Sequence, residues 1–108
     1  MDNQNIIISG VHVELTDALK SIVNTKARTI FNHDGDNRIM RLRVSLEVSK
    51  NKSTPDDYIA HGRLEVDGPD IEASANSSDL YKSIDEMVAK LDRQFVEKLK
   101  KQKDARRN

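Results

Sequence analysis

The groups in this 108-residue chain best suited to chemistry are three histidines, eighteen carboxylates and eighteen lysines and arginines. His12, His33 and His61 stand far apart, and none pairs with another at helical spacing. There is no cysteine, which removes disulfides, thiolate nucleophiles and zinc–thiolate sites. A metal site would need these histidines to converge from distant segments, so surface or loop histidines are the simpler reading. The stretch 32–37, NHDGDN, invites a calcium-loop reading. Such a loop needs a regular ladder of oxygen ligands closed by a bidentate Glu. Counted from Asp34 the closing position is Ser45; counted from Asp36 it is Glu47, but Arg38 and Met40 then fall at ligand positions. An ordinary turn fits better. The adjacent acids Asp85 with Glu86, and Asp56 with Asp57, read as solvated, and no GxSxG elbow is present. Gly10, Gly35, Gly62 and Gly68 are too dispersed to cradle a phosphate. These residues make no case for an enzyme, a cofactor or a small-molecule substrate.

The cations do carry a signal. The formal net charge is zero, yet residues 98–108 hold Lys98, Lys100, Lys101, Lys103, Arg106 and Arg107 against the single acid Asp104, a net +5. The other residues carry twelve bases and seventeen acids, a net −5. Such asymmetry points to a polyanion partner, and its competitor is a solvated charged helix end. Lys and Arg neutralise phosphates and release counterions, which gives binding without base-sequence preference. Aromatic residues make up only 4% of the chain. Tyr58 could stack on a base, while Tyr81 and Phe95 fit better in or beside a core. A reader of stacked single-stranded bases is therefore disfavoured against one that binds a shaped, phosphate-rich surface.

The elements that must position these cations follow from periodicity. From Ser77 to about Lys103, Leu80, Ile84, Met87, Val88, Leu91, Phe95 and Leu99 recur at spacings of three and four, one face of a long helix. Ser77 or Ser78 is expected to cap it, with Asp79 in the first turn. Lys82, Lys90, Arg93, Lys100 and Lys101 fall off the apolar face. Thr16 is expected to cap an earlier helix with apolar positions Leu19, Ile22, Val23, Ala27 and Ile30, and with Lys20, Lys26 and Arg28 elsewhere on it. Strands are expected at 5–9, ended by Gly10, and at 39–48, where Met40, Leu42, Val44, Leu46 and Val48 alternate with Arg41, Arg43, Ser45 and Glu47. The segment 50–57, KNKSTPDD, reads as a mobile loop. Ala60, Gly62, Leu64 and Val66 line one side of a third strand, and Ile71, Ala73 and Ala75 one side of a fourth, joined by a turn at 67–70.

The order β-α-β-β-β-α implies a parallel first pair and two antiparallel pairs. The fold class is α+β: a two-layer sandwich, a four-stranded mixed sheet with both helices on one face and the other face polar and open. One domain, 1–103, with a short, basic, flexible tail at 104–108, is the expected organisation. No apolar run approaches a membrane span or a signal peptide, so a cytoplasmic protein is expected.

The stretch 79–94, DLYKSIDEMVAKLDRQ, resembles the final-helix signature of the bacterial ribosome hibernation-promoting factor and ribosome-associated inhibitor family, through Asp79, Tyr81, Ile84, Asp85, Lys90, Leu91, Arg93 and Gln94. Ile8-Ser9-Gly10, the run Glu14 to Leu19, Val23, Lys26 and the strand 71–75 match as well, so the likeness covers nearly the whole chain. The resemblance implies a fold similar to the double-stranded-RNA-binding fold. It implies a non-enzymatic protein that binds ribosomal RNA in the messenger and transfer RNA channel of the small subunit and holds idle ribosomes inactive, in stationary phase and stress, as a short form that is monomeric off the ribosome. By motif match the RNA-binding set includes Lys26, Lys90 and Arg93, with the cluster Lys98, Lys100 and Lys101. Arg28 and Lys82 complete the candidate set from charge and helix placement. Thr29, Glu97 and Glu47 stand where members often have basic residues. The alternative from another class is a generic double-stranded-RNA module or RNA chaperone. A small enzyme using the open sheet face is a third, for which the sequence offers no titratable cluster.

Overall fold

A computed structural model describes residues 5–35, 37–51 and 54–106, with the backbone alone for 51, 54, 55 and 104–106. The elements are β1 (Ile6–Val11), α1 (Asp17–Asn32), β2 (Ile39–Asn51), β3 (Thr54–Val66), β4 (Ile71–Ser77) and α2 (Leu80–Arg106). The strands lie in the order β1-β2-β3-β4. β1 runs parallel to β2, and the other two pairs are antiparallel. The α+β sandwich expected from the periodicity is therefore the fold. The expected tail, 104–108, lies outside the residues whose side chains are described.

Alternation decides which face of the sheet is dry. Leu42, Val44 and Leu46 of β2, Ala60, Leu64 and Val66 of β3, and Ile71 and Ala75 of β4 are all buried. They form one cluster with Leu19, Val23, Ala27 and Ile30 of α1 and with Ile84, Met87, Val88, Leu91 and Phe95 of α2. Both helices thus cover the same sheet face. α2 crosses β3 at Gly62, where a Cβ would lie 2.5 Å from Met87 Sδ and 2.7 Å from Leu91 Cδ1. A side chain there would have to push Met87 and Leu91 aside, so glycine lets the helix sit low on the strand. The β3–β4 turn uses Gly68 at φ +96°, a left-handed conformation that glycine adopts without strain. Thr16 caps α1, its Oγ1 accepting from Leu19 N at 3.1 Å.

Four expectations need correction. β1 is not ended by Gly10; pairing with β2 continues through Gly10 and Val11. Met40 is not on the core side. A register irregularity between Ile39 and Arg41 turns Ile39 inward and leaves Met40 59% exposed. The stretch 50–57 is mostly ribbon, since β2 reaches Asn51 and β3 starts at Thr54, with Asn51 opposite Thr54. Main-chain pairing can extend a hairpin past its apolar part, because the paired groups are the same in every residue. Residues 52 and 53 lie outside the described residues. Finally, Asp79 is itself the cap of α2, its Oδ1 accepting from Tyr81 N at 3.0 Å, while Ser77 Oγ accepts from Asp79 N at 3.2 Å.

Candidate nucleic-acid interface

α2 is 27 residues long, about 40 Å at 1.5 Å per residue. Its core-facing stretch ends near Leu99, so its last turns carry cations past the core. With about 100° per residue, Lys82 and Lys100 fall at the same angle, five turns apart, and Arg93 within about 20° of them. All three are exposed, on the side away from the core. Lys101 is exposed on the flank nearer β4. Among the described residues none of these four has a side-chain partner, nor has the exposed Arg28 on α1.

The remaining three expected contacts are engaged. Lys26 Nζ lies 3.0 Å from Asp85 Oδ1 in an ion pair between the helices. Two turns on, His33 Nδ1 lies 2.7 Å from Asp92 Oδ1. Because both pairs advance by the same step, α1 and α2 run parallel, and two polar contacts join their seam. Arg28 is about 200° round α1 from Lys26, so the two cannot serve one surface. Lys90 Nζ donates to Ser74 O at 2.8 Å and Lys98 Nζ to Pro69 O at 3.0 Å. Between them Gln94 Nε2 donates to Glu72 O at 3.2 Å. These rungs, four residues apart, strap α2 to the outer edge of β4. An ammonium group has three donors, so Lys90 and Lys98 each keep capacity for a phosphate.

The other sheet face carries charge in a different form. Arg43 Nε lies 2.8 Å from Glu65 Oε2, and Arg41 Nη1 3.4 Å from Glu65 Oε1. Arg63 Nε lies 2.9 Å from Asp70 Oδ2, and His61 Nε2 3.1 Å from Glu72 Oε1. The hydrogen bond from Arg63 to Asp70, and then the charge of Asp70, hold the Arg63 guanidinium above its ordinary pKa. Among the described residues each arginine on this face contacts an acid, with Arg41 and Arg43 sharing Glu65, so none stands there without a counter-charge. In the 32–37 turn, Asp34 uses both carboxylate oxygens on backbone amides, from Arg38 at 2.7 Å and Ile39 at 2.8 Å. That fixes the entry into β2 and leaves the loop as a chain reversal.

The spacing of the bases was legible in the sequence, but two things were not. Asp85 and Asp92 are the acids that engage α1, and no local pattern pairs residues 59 apart. The strap was half visible, since Lys90, Gln94 and Lys98 recur every four residues. What they reach depends on the β4 edge lying beside them.

The model of the Sigma 54 modulation protein / S30EA ribosomal protein family matches residues 6–107. A protein named ribosome hibernation promoting factor from Salmonella typhimurium is 36% identical over 89 residues, covering 82% of this chain and 86% of that one. Its namesake from Azotobacter vinelandii is 34% identical over 95 residues, covering 88% and 82%. Among solved structures, a ribosomal subunit interface protein from Coxiella burnetii superposes with a TM-score of 0.71 at 25% identity, covering 85% of this chain and 93% of that one. The N-terminal domain of Protein Y from Thermus thermophilus shares the fold, with a TM-score of 0.67 over 85% of this chain and 96% of that one. A match that begins with β1 and runs through α2, with relatives above 30% identity over most of the chain, places this protein in the Sigma 54 modulation protein / S30EA ribosomal protein family.

Proposed function

We propose that the chain is a ribosome-binding hibernation factor of the bacterial cytosol, which sits in the messenger and transfer RNA channel of the small subunit and keeps idle ribosomes inactive. The observation that carries this reading is the set of unpartnered cations on the outer side and β4 flank of α2, Lys82, Arg93, Lys100 and Lys101, in a chain whose relatives bear that name. Arg28 adds a contact from α1. Lys90 and Lys98 contribute their remaining donors beside the strap, and Lys26 contributes only if the Asp85 pair opens. Residues outside 98–108 are net acidic and most RNA repels them, so docking needs a site that matches the basic helix faces and tolerates the rest. A channel walled by RNA phosphates meets that need. Among the described residues, no helix is long and apolar enough to cross a membrane.

Action is by volume exclusion, with no bond made or broken. Inhibition is then competitive with messenger and initiator transfer RNA, reversible, and relieved by raised salt. Translation in a reconstituted system tests this, with ribosomes either empty or preloaded with messenger and transfer RNA. Preloaded ribosomes should resist the protein. Equal inhibition of both at equal concentration would rule out channel occlusion. A generic double-stranded-RNA module would fail earlier, by not co-sedimenting with the small subunit.

A further inference from the structure

Tyr81 is expected from the sequence in or beside the core, yet it is 49% exposed. It lies in the first turn of α2, and that turn is pinned on both sides of it. Asp79 Oδ1 accepts from Tyr81 N at 3.0 Å, and the buried Ser83 donates from Oγ to Tyr58 O at 2.7 Å. Asp85 follows one turn later, about 40° round the helix, and is joined to Lys26 of α1 at 3.0 Å. Tyr81 thus stands at the open end of the helix seam, with Lys82 next to it. Among the described residues the Tyr81 hydroxyl makes no hydrogen bond and Lys82 has no side-chain partner. Three acids are close in sequence. Asp79 is engaged in the cap and Asp85 by Lys26, while Glu86 falls about 140° round from Tyr81.

We propose that Tyr81 stacks on an unpaired base of small-subunit ribosomal RNA while Lys82 takes a phosphate of the same strand. The contact rests on the ribosome reading and adds to it the kind of RNA that this end of α2 accepts. Lys82 opens the row of cations that continues through Arg93 and Lys100, so a polyanion drawn to the row brings its bases to the ring. Adjacent helical residues point about 100° apart, so ring and ammonium group can engage the base and the phosphate of one nucleotide from two directions. A tyrosine ring offers a large contact area with only two rotatable bonds, and every base has a π-face to meet it. In duplex RNA those faces are covered by neighbouring bases, and an aromatic side chain reaches only a base that is splayed out. Lysines and arginines alone hold phosphates of paired and unpaired strands alike. One aromatic at the head of the row makes binding depend on a base being open there. A single stacked base does not make the chain a reader of extended single strands.

Binding of the full chain to small subunits, measured across a range of salt, tests the proposal with Tyr81→Leu, Tyr81→Phe and Lys82→Ala. Leucine keeps apolar bulk and loses the aromatic face. Tyr81→Leu should weaken binding about five- to a hundredfold, the range that one stacked base commands. It should leave the slope of log K against log salt unchanged, because no cation is lost. Tyr81→Phe keeps the ring and should bind within about twofold of the wild type. Lys82→Ala should instead make the slope shallower. Circular dichroism establishes that each variant is folded. A second readout leaves Tyr81 intact. The chain has two tyrosines and no tryptophan, so in Tyr58→Phe the emission comes from Tyr81 alone. That emission should be quenched when small-subunit ribosomal RNA stripped of protein is added. A wild type that does not bind small subunits overturns the ribosome reading and this contact together. A wild type that binds, with Tyr81→Leu binding equally well or Tyr81→Phe losing as much as Tyr81→Leu, overturns the contact alone. So does Tyr81 emission that stays unchanged as the RNA binds.

Discussion

The seam between the helices and the outer side of α2 hold lysines in opposite conditions. In the seam, Lys26 meets Asp85 and His33 meets Asp92. On the outer side, Lys82, Arg93 and Lys100 meet no acid among the described residues. The difference shows that a count of bases on a helix does not measure its appetite for phosphate. An ion pair on this scale stabilises by only about 0.2–1 kcal/mol, so the seam mainly sets how the helices line up. It also withdraws a lysine from the surface. Cations left without partners are those whose counterions a polyanion can displace.

The largest expected effect breaks both regions together. Phe95 is 1% exposed beneath α2. Phe95→Ala should cost about 2–5 kcal/mol in a denaturant melt, because removing the aromatic ring leaves a cavity under the helix that carries both the seam acids and the outer bases. Lys82→Ala should move the same melt by less than about 0.5 kcal/mol. Equal losses would mean that the helix is rotated about its axis relative to the packing described.

A variant with Lys82, Arg93 and Lys100 all changed to alanine separates the regions. Its stability should hold while its ribosomal RNA affinity falls for every base sequence. Each phosphate left without its cation should make the plot of log K against log salt shallower by about 0.7–0.9, and the three together by about 2–3 units. Lys26→Ala should leave that slope nearly unchanged. If the slope responds to Lys26 and ignores the outer three, the assignment of paired and free cations is reversed.

The smallest effect sharpens the comparison most. Asp85→Asn keeps the size of the side chain and removes its charge. It should lower stability by no more than about 1 kcal/mol and free Lys26. RNA binding should then strengthen, with the salt slope steeper by at most about 0.9. Weaker binding would show that Asp85 positions Lys26 for RNA instead of occupying it.

What could be read from the sequence follows the range of the forces involved. Side-chain alternation over Leu42, Val44 and Leu46, and the three-and-four spacing from Ile84 to Phe95, are set by the nearest neighbours in the chain, so the strands, the helices and most core residues were legible. Met40 was misplaced because one irregularity at Ile39/Arg41 inverts the pattern, and an alternating string does not mark where the inversion falls. The ribbon at the β2–β3 hairpin was missed because main-chain pairing leaves no apolar trace. In the candidate interface, which bases lie off the apolar face was legible from α2 alone. Lys90 reads there as one more base off the apolar face, and only the position of β4 gives it Ser74 O as an acceptor.

The strap along β4 also acts as a vernier. Successive rungs on α2 are four residues, or about 6.0 Å, apart. Alternate outward carbonyls on a strand are about 6.6 Å apart. The two scales nearly agree from Lys90 to Gln94, whose acceptors Ser74 and Glu72 are two residues apart, and the next rung, from Lys98, falls on Pro69, three residues further and past the end of the strand. Sliding α2 by one turn towards the β3–β4 turn would carry Lys98 off the end of the scale, with no further strand carbonyl to receive it. The helix is thereby indexed lengthwise against main-chain atoms, whose spacing does not change when residues 72 and 74 mutate. Strand β4 can drift in sequence while the cations of α2 hold their place along the molecule.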